Sequence, residues 1–231
     1  MATKSKYSKL KRVLIVLLVF TGAFIVYVEI VNRNSKKMTY RQKVLKAVYP
    51  ALMWFSKLAG SNTKELTGTQ QPPVSFHSLK VILNNGDTLN FESLKGKKVL
   101  LVNTASDCGY TNQYNDLQKL SDEYRGKLIV VGFPANDFKE QEKGTDKDIA
   151  AFCKKNYGIT FPLAQKSVVI KSPAQNPIFQ WLTDSAKNGW NDKPPSWNFS
   201  KYLVNEEGVL TNYFGSSISP TGKDITEAIN K

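Results

Sequence analysis

Histidine is almost absent from this chain of 231 residues: His77 stands alone, beside two cysteines, Cys108 and Cys153. One imidazole cannot build a multi-histidine zinc site, and two thiols cannot complete a four-cysteine one, so the donor count argues against zinc chemistry. A serine triad would need His77 as its base, and no Gly-x-Ser-x-Gly elbow accompanies it. The length suits one or two domains with a sizeable core, which excludes a small disulfide scaffold. Charged residues are few, at 22%, against 41% apolar, a composition of folded rather than disordered protein.

Acidic residues are scarce at one end. Residues 1–60 hold 12 Lys and Arg against the single acid Glu29, whereas residues 61–231 hold 20 against 18. Of the net charge of +13, +11 therefore belongs to the N-terminal segment and only +2 to the remainder. The remainder lacks the cationic field that a phosphate backbone would select, so no nucleic-acid partner is expected.

Residues 13–31, VLIVLLVFTGAFIVYVEIV, are a nearly unbroken apolar run after the basic tail 1–12. As a helix this run spans roughly 28 Å, about one hydrocarbon core. A cleaved signal peptide would end near Thr21-Gly22-Ala23, but Phe24 to Val28 continue apolar past that point. The run is therefore expected to be an uncleaved single-pass anchor. Positive residues flank both ends, so the side on which the rest of the chain lies stays open. Residues 32–59 form a basic juxtamembrane segment whose apolar positions Val44, Ala47, Val48, Ala51, Leu52, Phe55 and Leu58 recur at helical spacing around Pro50. Such a helix could lie on anionic headgroups or pack on the folded domain. Residues 60–74 are polar and turn-rich, an expected linker, and the folded domain is expected over 75–231.

Within that domain, strand and helix patterns alternate. Residues 75–83 and 88–91 flank the turn Asn84-Asn85-Gly86-Asp87, and KKVLLVNTA (97–105) and KLIVVGFPA (127–135) read as buried strands. Helices are expected over 111–124, 146–156 and 178–187, followed by a hairpin around Glu206-Glu207-Gly208 and a last helix after Ser219-Pro220. The order predicts an α/β sandwich.

Cys108 follows the first buried strand and precedes a helix, in NTASDCGYTNQY. Unsatisfied N–H groups and the positive end of a helix dipole favour thiolate there, while the neighbouring Asp107 opposes it. Thr111 stands where a Cys-x-x-Cys exchanger would carry its second cysteine. Cys153, on the expected helix 146–156, could capture a sulfenic acid on Cys108 if that helix unwinds locally. Taken alone, Cys153 is as well explained as a core residue.

Four strings, VNTASDCGYTNQY (102–114), VVGFPANDFKEQEKG (130–144), FPLAQK (161–166) and WNFSKYLVN (197–205), resemble the glutathione peroxidase family in order and spacing. The resemblance runs from about Phe76 to the C-terminus. It implies a thioredoxin-like fold, a central mixed sheet flanked by helices, behind the N-terminal transmembrane helix. It implies a peroxidatic role for Cys108, catalytic partners at Gln141, Trp197 and Asn198, and Cys153 in the resolving position of relatives recycled by thioredoxin. Neutral donors suit that chemistry, because negative charge develops on the leaving oxygen as the O–O bond breaks.

The chain departs from the family at Ala135 and Asp137, where many relatives read FPCNQF, and at Lys143, where QEPG has proline. Ala135 removes an alternative thiol, and Asp137 could alter loop packing or the charge near the peroxide entrance. The short segment between Trp181 and Trp197, and the lack of a basic cluster for glutathione carboxylates, resemble the monomeric or dimeric, thioredoxin-using branch. The expected activity is a membrane-tethered thiol peroxidase acting on hydrogen peroxide and organic or lipid hydroperoxides in defence against oxidative stress. Thioredoxin or glutathione would be its external reductant, with no metal or other cofactor. The alternative is a peroxide sensor that relays oxidation to a partner protein by disulfide exchange.

Overall fold

A computed structural model of the protein describes residues 2–35, 38–59 and 65–231. Met1, Lys36 and Lys37 of the basic flank, residues 60–64 of the expected linker, and the side chains of residues 2–9, Lys57 and Ala59 lie outside the described residues.

Helix α1 (Ala2–Val31) takes in the expected basic tail as well as the apolar run. Its stretch Leu10–Val31 is long and apolar enough to cross a membrane and has almost no packing around it. Helix α2 (Tyr40–Ala59) continues through Pro50, whose ring forfeits one backbone donor. Of the two placements open to this amphipathic segment, the structure shows packing on the domain: Tyr49 and Ser56 are buried and bond Asp116 and Tyr110. Part of the expected linker is instead a strand, β1 (Glu65–Thr67), paired antiparallel with the last strand of the sheet. Leu66 packs on the core and Asn212 Nδ2 donates to Glu65 Oε1 at 2.8 Å, which holds a segment too short and polar to read as a strand.

The strand expected over 75–83 is shorter, β2 (Lys80–Ile82), because Phe76–Ser78 form a 3-10 turn that buries Phe76 and His77. It pairs with β3 (Thr88–Asn90) in a separate hairpin. Next come β4 (Lys98–Thr104), α3 (Gln113–Glu123), β5 (Leu128–Pro134) and α4 (Asp146–Tyr157). Helix α4 starts at a reciprocal capping box between Thr145 and Asp148 and stops at Gly158, whose φ of 64° is the left-handed conformation that suits a residue without a side chain. The helix expected over 178–187 divides into α5 (Pro177–Leu182) and α6 (Ser185–Asn188), because Asp184 caps the second by accepting from Ala186 N–H at 3.1 Å. β6 (Lys201–Val204), β7 (Leu210–Phe214) and α7 (Lys223–Asn230) complete the chain.

The five-stranded sheet runs β1-β7-β6-β4-β5, with β4 and β5 parallel and the other pairs antiparallel. A βαβ unit and a ββα unit thus share one mixed sheet with helices on its faces, the expected thioredoxin-like arrangement. Side-chain alternation divides the core in two. Leu100 and Val102 of β4 join Tyr114, Leu117, Cys108, Cys153 and Phe214 on one face, while Val99 and Leu101 join Phe76, Phe133, Phe179 and Trp181 on the other. Both cysteines therefore lie in the same half of the core.

Candidate active site around Cys108

β4 delivers the chain to the loop 105–112, and the buried side chain of Thr111 shapes it. Thr111 Oγ1 donates to the Ala105 carbonyl at 2.8 Å and accepts from Cys108 N–H at 2.9 Å. The loop folds so that Tyr110 N–H points at Cys108 Sγ, at 3.4 Å. Cys108 is only 1% exposed.

Two further loops close on this one. Asp107 N–H donates to the Gln141 carbonyl at 3.0 Å, and Ser106 Oγ donates to Glu142 Oε2 at 2.9 Å, so the loop after β5 is stitched to the cysteine loop. Glu142 N–H in turn donates to Asn136 Oδ1 at 2.8 Å. Asp137 serves loop packing, accepting from Val169 N–H at 2.8 Å. The loop before β6 is held by Asn103 of β4, which donates to the Trp197 carbonyl at 3.1 Å and accepts from Ser200 N–H at 3.0 Å.

These contacts bring Cys108, Gln141, Trp197 and Asn198 together. The Trp197 and Asn198 side chains sit near enough to the Cys108 sulfur to favour its thiolate, and Asn198 Nδ2 donates to Gln141 Oε1 at 2.9 Å. The Trp197 ring lies 5.5 Å from that of Phe138, centroid to centroid, and Lys139 Nζ is 5.7 Å above its face. Lys139, Glu140 and Phe199 have φ values of 53°, 52° and 66°, a left-handed conformation that costs side-chain-bearing residues energy. All three flank Gln141 or Asn198, so local strain is held where the polar side chains converge.

The thiolate expected from helix placement is corrected by burial. Four loop residues separate Cys108 from the start of α3, and desolvation pushes its thiol up. The Tyr110 N–H, the Trp197 and Asn198 side chains, and the charge of Arg41, act in the opposite direction without overcoming it.

Cys153 projects from α4 into the same core half, fully buried, and is a free thiol like Cys108. Burial pushes it up to about 12; the neighbouring Tyr114 hydroxyl lowers it and the nearby Glu142 carboxyl raises it. Glu142, itself 1% exposed, is pushed up to about 7 by burial, against the Ser106 hydrogen bonds and the charge of Lys166. A cavity of about 380 Å³ opens beside this group, lined by Gln42, Ser106, Gln141, Glu142, Ile149 and Phe152 among others. His77 lies in the other core half, its Nδ1 3.1 Å from the Phe91 carbonyl.

Sequence reasoning did not assign Asn103, Ser106, Thr111 or Glu142, although all but Glu142 lie on the cysteine loop or the strand leading to it. It also left α2 without a contact here. Arg41 is ion-paired with Asp107 and donates to its carbonyl at 3.0 Å, Gln42 Nε2 donates to the Ser106 carbonyl at 3.2 Å, and Leu52 packs on Gly109.

A family model described as Glutathione peroxidase matches residues 76–183. The chain is 44% identical over 147 residues to the glutathione peroxidase homolog BsaA of Staphylococcus epidermidis, covering 63% of this chain and 92% of that protein. It is 39% identical over 151 residues to glutathione peroxidase-like peroxiredoxin 2 of Saccharomyces cerevisiae, covering 65% and 93%. The crystal structure of Trgpx in apo form matches at 31% identity with a TM-score of 0.52, covering 69% of this chain and 97% of that one.

Proposed function

The chain belongs to the glutathione peroxidase family and is a peroxidase of the oxidoreductase class, and from that premise we propose that Cys108 is the residue oxidised by hydroperoxide. The observation that carries this reading is the Tyr110 N–H aimed at the Cys108 sulfur at 3.4 Å and the bonded Asn198–Gln141 pair, with Asn198 and Trp197 both favouring the thiolate.

The Cys108 thiolate attacks one peroxide oxygen. An S–O bond forms as the O–O bond breaks, sulfur gives up two electrons, and the proton lost from the thiol leaves with the other oxygen as alcohol or water. The donors around the sulfur oppose the cost of burying negative charge there, and Gln141 and Asn198 supply neutral N–H groups to the leaving oxygen. Ile149 and Phe152 in the adjacent cavity offer apolar surface to the organic part of a larger hydroperoxide.

Cys153 then attacks the sulfenic sulfur, water leaves, and a Cys108–Cys153 disulfide remains. That step requires α4 to open locally, since Cys153 is fully buried within a capped helix. An external dithiol of the thioredoxin type restores both thiols by exchange. Through α1 the enzyme is anchored in a membrane and acts on lipid hydroperoxides as well as hydrogen peroxide. Support for an uncleaved anchor comes from the apolar span Leu10–Val31, which runs well past Thr21-Gly22-Ala23.

Peroxide-dependent NADPH consumption by the full chain tests the reading, coupled in parallel to thioredoxin with its reductase and to glutathione with its reductase. Rapid turnover with thioredoxin that is lost in Cys153→Ser is the expected result. Rapid turnover with glutathione that survives Cys153→Ser removes Cys153 from the cycle, and oxidation without turnover by either favours the sensor.

A further inference from the structure

Helix α2 has two working faces. On one, Gln42, Tyr49 and Ser56, spaced by seven residues, bond the domain: Gln42 to Ser106, Tyr49 Oη to Asp116 Oδ2 at 3.1 Å, and Ser56 Oγ with Tyr110 Oη at 3.1 Å. Leu52 lies against Gly109 between them. This face therefore covers the segment 106–110 that holds Cys108.

The other face meets α1 along its first half. Tyr27 Oη donates to the Ala47 carbonyl at 3.2 Å, Asn32 Nδ2 donates to the Lys43 carbonyl at 2.9 Å, and Lys43 pairs with Glu29 at 2.9 Å. Residue numbers fall along α1 as they rise along α2, so α2 runs back in the direction of the apolar span. Ala47 and Trp54 are seven residues apart and share the α1 side. Leu58 is nine residues past Tyr49, about two and a half turns, and so points away from the domain. Trp54, Phe55 and Leu58 are 59%, 62% and 67% exposed, with the Trp54 and Phe55 rings edge to face at 4.9 Å. Three adjacent large apolar side chains left exposed among the described residues mark a contact surface. Its continuity with a membrane-spanning helix, and the preference of tryptophan for the lipid–water boundary, identify the occupant as the bilayer interface.

We propose that the Trp54–Phe55–Leu58 face of α2 inserts into the headgroup region, so that α2 is a wedge with the bilayer on one side and the Cys108 loop on the other. This rests on α1 being a membrane anchor. The Cys108 side of the domain is then turned toward the membrane, and hydroperoxides carried on bilayer phospholipids are the substrates that this orientation serves.

The test uses the full chain in vesicles of phosphatidylcholine and phosphatidylglycerol with brominated acyl chains. Wild type and Trp54→Phe are compared for bromine quenching of tryptophan emission. The remaining tryptophans, Trp181, Trp190 and Trp197, lie in the folded domain. Quenching in wild type that largely disappears in Trp54→Phe is expected; equal behaviour of the two in alkali-resistant vesicles overturns the docking while leaving the anchor. Release of the wild-type chain by alkaline carbonate overturns both. As a second measure, Trp54→Ser with Leu58→Ser should lower turnover of phospholipid hydroperoxide in vesicles by about tenfold or more and change hydrogen peroxide turnover by less than about twofold. A parallel loss of both overturns the proposal. Absence of peroxidase activity in wild type with Trp54 still quenched counts against the enzymatic reading alone.

Discussion

Asn198 Nδ2 donates to Gln141 Oε1 across 2.9 Å and so joins two loops 57 residues apart in sequence. The same asparagine favours the Cys108 thiolate, while Gln141 is tied to the cysteine loop by its own carbonyl. The three loops are therefore one unit, and side chains that act as a unit do not contribute independently.

Asn198→Ala and Gln141→Ala should each lower the second-order rate of Cys108 oxidation by about 10²-fold, the usual scale for loss of one preorganised donor. The double variant should be little worse than either single one. Stopped-flow kinetics with hydrogen peroxide measure all three, and fully multiplicative losses would show that the two side chains act separately.

Burial raises the Cys108 pKa, so at neutral pH the thiol form predominates and the reactive thiolate is the minor one. The rate of oxidation should climb with pH, with its limb above the range of an exposed cysteine. Initial rates across a pH series, matched by alkylation with a small haloacetamide, give the curve. A plateau reached by neutral pH would contradict the balance of burial over donors.

Glu142, raised to about 7, gives stability a pH dependence of known sign. Between its ordinary carboxylate range and pH 7 the folded state binds more protons than the unfolded one, so stability falls as pH rises. The full loss is on the order of 3 kcal/mol. Glu142→Gln should remove it, being close to wild type in denaturant melts at pH 5 and more stable at pH 8. An unchanged difference between the two pH values would refute the assignment.

Helix α4 must open to bring Cys153 to Cys108, and its N-terminal capping box resists that opening. Thr145→Ala removes the cap at a cost of about 1 kcal/mol and should speed disulfide formation up to about fivefold. Rapid acid quenching after peroxide addition follows the disulfide by mass. Equal rates in both proteins would mean that resolution does not pass through unwinding at the start of α4.

The parts of the fold legible in the sequence are those whose pattern is self-contained. Val99 to Val102 and Val130 to Val131 read as buried strands because both faces are covered. The Cys108, Gln141, Trp197 and Asn198 positions were legible through family motifs, and loop closure then brings them together. β1 was not legible, since Glu65–Thr67 gains strand character only from β7. Nor was the destination of α2, because an amphipathic pattern shows that a face is covered without naming what covers it; Tyr49 meets Asp116, 67 residues away. The left-handed Lys139 and Glu140 are likewise products of tertiary contact, which overrides local preference.

The most direct test of the central claim is intact and peptide mass spectrometry of the reduced full chain after one equivalent of hydrogen peroxide. The account predicts loss of two hydrogens in wild type, mapped to a Cys108–Cys153 disulfide. In Cys153→Ser it predicts one added oxygen, on Cys108 and trapped by dimedone, and in Cys108→Ser no change. Oxidation of Cys153 in the Cys108→Ser protein, or an unreactive Cys108 in the other two, would contradict it.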